Sequence, residues 1–181
     1  MYKRQDTYKY NSTTGPDGIG YFDLMCNTYG GGGYNPAPPN PYFLYTKGWA
    51  NIVDVTNTNA QIQDSSNTNT IYKYKKSSTE YYLIKARKKE GRSLNIPDEG
   101  LTVWHIDEYG YNQSTHHQVF LEHANNDNTT QSGACWHHGG NVAFNDNSIP
   151  SANWYDNTAS GLKIWNIGLP GTVMTYNIGN S

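Results

Sequence analysis

From Ala50 onward apolar and polar residues alternate with a period of two, which predicts extended strands. The stretches are Ile52 to Thr56, Ala60 to Asp64, Thr70 to Lys75, Glu80 to Arg87, Leu101 to Asp107, His117 to His123, Gly161 to Ile167 and Thr172 to Ile178. In YYLIKAR the side chains of Tyr82, Ile84 and Ala86 point one way and those of Leu83, Lys85 and Arg87 the other, as in a strand with one buried face. Only GLPG, Gly168 to Gly171, joins the last two stretches, so they form a hairpin of antiparallel neighbours. Before this region, NPYFLYTKGW predicts a short helix capped by Asn40 with Pro41 in its first position. Gln5 to Gly20 is punctuated by Gly, Pro and Asp and reads as loop. Asn125 to Asp156, rich in Asn, Gly, Ser and His, is long for a loop, and is either functional or held by ions and side-chain hydrogen bonds. The expected class is α+β, mainly antiparallel β with one or two short helices, in one domain without repeats or a linker.

Composition narrows the function more than the fold. A chain of 181 residues is long enough for a packed core. Only 15% of residues are charged and the net charge is -2, so neither a nucleic-acid footprint nor a membrane-surface patch is present in the sequence. No apolar run approaches the ~20 residues of a membrane span. The Asn-, Thr- and Tyr-rich composition is of the kind common in secreted bacterial β-rich proteins. Cys26 and Cys135 leave a disulfide open. Residues 1–5, MYKRQ, read as an adapter or cloning scar, leaving 6–181 for fold reasoning, with the natural protein expected to extend upstream.

Several separated stretches, in order, resemble the secreted zinc metallopeptidases of the immune inhibitor A type, a metzincin-like family. They are GIGYFDLM (Gly18 to Met25), YTKGW (Tyr45 to Trp49), EYYLIKAR (Glu80 to Arg87), GLTVWHIDE (Gly100 to Glu108) and SGLKIWNIGLPGTVMTYNI (Ser160 to Ile178). The resemblance covers nearly the whole chain from Asp6 onward and is most specific at D-L-M and W-H-I-D. It implies the C-terminal subdomain of a metzincin-like catalytic domain. It also implies a role for Met25: the Met-turn residue that lies beneath the metal as an apolar floor, packing without ligating.

Zinc peptidases need three protein ligands, an open position for water and a carboxylate base. The family draws these from a helix reading H-E-x-x-H with an aspartate beyond it, and no H-E-x-x-H occurs in these residues. The adjacent pairs His116/His117 and His137/His138 cannot give the i, i+4 geometry on a helix. Asp6 matches a second, non-ligating aspartate better than the ligand. The resemblance therefore implies a fragment whose zinc ligands lie in a missing N-terminal half. That half would be its structural partner, and a peptide or protein its substrate.

Other constellations are less determined. His105 and Asp107 share one face of a predicted strand, as support for the cleft or as part of a substrate or calcium site. Asp127, Asp146 and Asp156 lie among Asn residues, as solvated carboxylates or as calcium ligands without an EF-hand pattern. Lys85 stands where the family's strand usually carries an acid, so an ion pair made by that acid is lost or rebuilt here; Arg87 beside it suits bidentate binding of a carboxylate. The competing reading is a secreted β-sandwich that binds carbohydrate or serves adhesion through exposed aromatics, suggested by 16 Tyr and 5 Trp. Burial of Trp49, Trp104, Trp136 and Trp165 is its discriminator.

Overall fold

A computed structural model describes residues 19–26, 34–112 and 115–180. Nine strands and one α-helix follow in the order α1 (Pro41–Thr46), β1 (Asn51–Asp54), β2 (Ala60–Ser65), β3 (Thr70–Lys75), β4 (Glu80–Arg87), β5 (Gly100–Asp107), β6 (Val119–Glu122), β7 (Phe144–Asn145), β8 (Leu162–Trp165) and β9 (Val173–Asn180) among the described residues. They form a five-stranded sheet, β1-β3-β4-β5-β6, and a four-stranded sheet, β2-β9-β8-β7. Every pairing is antiparallel except β1 with β3. The architecture is thus mainly antiparallel β with one short helix, a β-rich α+β class.

The helix begins as its sequence dictates. Asn40 Oδ1 accepts the Phe43 N–H at 2.9 Å, and Pro41 occupies the first turn without wasting a donor. Its C-terminal end runs into Gly48, whose φ of +69° favours glycine. The GLPG segment does connect antiparallel β8 and β9. The two-residue β7 escapes the sequence pattern because so short a strand has no periodicity to read.

The expectation of one buried face fails for β4 and β5, in which all eight residues of each are buried. The five-stranded sheet is the middle layer of three. Tyr82, Ile84, Ala86, Leu101 and Val103 pack toward the second sheet with Phe144, Ile164, Met174, Tyr176 and Ile178. Tyr81, Leu83, Trp104 and Ile106 pack on the opposite side with Ile19, Phe22, Tyr42, Phe43 and Cys135. Alternation in these strands therefore sorts side chains between two cores and not between core and water.

Candidate functional site

Met25 lies in a turn following a 3-10 helix, Gly20–Phe22. Its side chain is 42% exposed, while Phe22, Asp23 and Cys26 around it are buried. Two long-range clamps fix this turn. Asp23 Oδ1 accepts the Asn40 N–H at 2.9 Å, binding the turn to the start of α1. Gln131 Oε1, from the long loop, accepts the Tyr21 N–H at 2.9 Å. Gly20 has φ of +59°, and a Cβ there would overlap the Gln131 amide, so this glycine is required twice over. Nothing local to Gln131 marks it, because its partner is 110 residues away.

The W-H-I-D strand builds a second constellation. His105, on β5, is 3% exposed and lies between two carboxylates: Nε2 is 3.2 Å from Glu80 Oε1 and Nδ1 is 3.6 Å from Glu122 Oε1. Tyr155 stacks on its ring at 4.1 Å and Tyr82 lies at 4.4 Å. Burial opposes a charge on His105, but the Glu122 and Glu80 carboxylates outweigh it and raise its pKa. Burial likewise opposes ionisation of Glu80, yet His105, Lys76 and the Tyr155 N–H hold its pKa at about 2. The two carboxylates thus favour the protonated form of the ring held between them.

Asp107 does not meet His105. Its Oδ2 is 2.8 Å from His116 Nε2, and Oδ1 accepts the Tyr109 N–H. His116 packs on Tyr155 at 4.2 Å, so both imidazoles lie against this one phenol ring. The Tyr155 hydroxyl is buried without a hydrogen-bond partner among the described residues, and burial raises its pKa. A cavity of about 310 Å³ opens beside these groups, lined by His105, Phe120, Glu122, Trp154 and Tyr155. Glu80 enters the cluster through the register that places it opposite Asp107, which the sequence could not show before β4 and β5 were aligned.

The three loop aspartates serve separate turns. Asp127 accepts from the Thr129 N–H and hydroxyl, which lower its pKa. Asp146 accepts from the Ser160 and Gly161 N–H groups and anchors the start of β8. Asp156 pairs with Lys76 at 2.7 Å and accepts from Thr158, and both depress its pKa. Among the described residues no three His, Cys, Asp or Glu side chains gather in a way that could hold a metal ion. The described residues therefore supply no zinc ligand set. Cys135 is a free thiol whose pKa burial raises well above its ordinary value.

Trp104 and Trp136 are fully buried and Trp154 is 5% exposed, whereas Trp49 is 62% exposed and Trp165 half-buried. No helix among the described residues is long and apolar enough to cross a membrane. No family model, curated protein or solved structure matches this chain.

Proposed function

We propose that this chain is the C-terminal part of the catalytic domain of a secreted zinc endopeptidase similar to the immune inhibitor A type, carrying the Met-turn and the β-rich subdomain. Its zinc ligands and carboxylate base belong to residues preceding Asp6, and hydrolysis requires them. The supporting observation is the presentation of Met25. A large apolar side chain left 42% exposed is held on a turn whose Phe22, Asp23 and Cys26 are buried and which is clamped by Asp23, Asn40, Gly20 and Gln131. Such rigid support suits a surface that packs under another element, since an ordinary exposed turn needs no long-range clamps.

The alternative, carbohydrate binding on an aromatic platform, needs several exposed tryptophans on one face. Three of the five are instead consumed by the cores and the His105 cluster. The deciding experiment begins with the coding sequence upstream of Met1. It should encode H-E-x-x-H ending within roughly a dozen residues of Asp6. The extended protein should cleave casein, lose that activity to a zinc chelator, and regain it with added zinc. An unrelated preceding gene, or an extended protein with no chelator-sensitive cleavage, refutes the proposal.

A further inference from the structure

Arg87 has no role in the arrangement above, and its surroundings are unusual. It is 7% exposed, yet its one hydrogen bond among the described residues runs from Nη2 to the Pro39 carbonyl at 3.0 Å. Most of its N–H donors are therefore unused. Asp23 and Asp64 act on it only through space, and no carboxylate lies within ion-pairing distance among the described residues. Beside it, Lys85 is ion-paired with Asp64 Oδ1 at 2.9 Å and also donates to the Ser65 carbonyl at 2.6 Å. Both side chains line a cavity of about 550 Å³ that opens to the surface.

The walls of this cavity divide by chemistry. Leu44 and the exposed Trp49 give one apolar side; on another lie Asn67 and Asn69, the latter with its Nδ2 donating to the Trp49 carbonyl at 3.1 Å and its amide oxygen left to accept. Glu90 and the exposed Arg92 also line it, Glu90 Oε1 accepting from the Ser66 and Thr172 hydroxyls. Arg87 thus sits at the floor without a directly paired carboxylate among the described residues, its nearest acids acting only through space. A buried guanidinium is stable when it meets a planar, singly charged oxyanion that its fork can grip with two hydrogen bonds. A phosphate dianion would demand a second free cation, and Lys85 is already committed.

We propose that this cavity binds the carboxyl-terminal end of a peptide whose last side chain is apolar, with the carboxylate on Arg87, the apolar group against Trp49 and Leu44, and the preceding peptide groups facing Asn67 and Asn69. The volume suits a few residues better than a small acid alone. The inference stands apart from the peptidase reading, because it uses only residues of β4, α1, the α1–β1 connection and the β2–β3 turn.

The test titrates acetyl-Gly-Gly-Phe and its C-terminal amide into the full chain while following the Trp49 indole N–H resonance, identified by its loss in Trp49→Ala. The free acid should shift that resonance saturably and bind about tenfold or more tighter than the amide. By calorimetry, Trp49→Ala should weaken the acid several-fold, since the indole is exposed and its loss leaves the fold intact. Arg87→Gln should abolish the preference for acid over amide. Should Arg87→Gln fail to fold, the acid-to-amide ratio on the native chain and the Trp49→Ala effect still decide. Equal binding of acid and amide overturns the assignment. So does displacement by inorganic phosphate at equal concentration, or benzoate binding as tightly as the peptide.

Discussion

Replacing His105 by Gln removes a cation from between Glu80 and Glu122 and leaves two buried carboxylates facing one another. The loss expected by urea denaturation at pH 5 is about 3–5 kcal/mol. Its pH dependence follows from the two shifts. The pKa of His105 is raised above its ordinary 6.5, so its contribution is complete below 6.5 and fades as pH rises through the higher folded value. That of Glu80 falls from 4.5 to about 2, so its contribution is complete above 4.5 and fades as pH drops toward 2. The cluster therefore stabilises most between about pH 4.5 and 6.5, and His105→Gln should flatten the stability profile above that window. The sequence pointed to His105 and Asp107 as a pair on one strand. It could not reveal that each takes a different partner, because Glu80, Glu122, His116 and Tyr155 arrive through strand register and loop packing.

Elements were legible wherever one signal was local. β3 and β4 match their sequence-derived limits, Thr70 to Lys75 and Glu80 to Arg87, and α1 has the Asn40 cap and Pro41 start that its sequence encodes. Which core each face enters was not legible, since alternation looks the same whether the far side meets water or another layer. The ion pair of β4 illustrates the point: Lys85 on its own reads as a surface charge, but it is 3% exposed because Asp64 of β2 meets it. Burial lowers the Lys85 pKa and raises that of Asp64, so neither charge tolerates isolation. Lys85→Met should cost about 3–5 kcal/mol in chemical denaturation, because Asp64 is left buried without its cation. Gly20→Ala should cost about 1–3 kcal/mol by the same measure, through its positive φ and the displaced Gln131 amide. Limited proteolysis should then cut the Met25 turn and the segment around Gln131 faster than in the parent chain.

On the scale of the whole molecule, the three-layer build accounts for a core that composition alone did not promise in so polar a chain. The dialysed chain should retain far less than stoichiometric zinc at low micromolar concentration, measured by atomic absorption, because the described residues offer no ligand set. The two sheets should also melt in one transition, with coincident near- and far-ultraviolet circular dichroism. The chain leaves β1 for β2 in the second sheet and returns to the first as β3, so neither sheet is built from a continuous segment.

The placement of β9 bears on how the protein is made. β9 leaves the ribosome after the other eight strands, and it lies between β2 and β8, joining Ala60 to Ile178 and Leu162 to Asn180. Until β9 emerges, β2 has no neighbour in its sheet and the apolar side of β4 and β5 lacks the cover of Met174, Tyr176 and Ile178. The second sheet can therefore close only once β9 has emerged, and nascent chains that stall short of it will expose sticky surface and depend on chaperones.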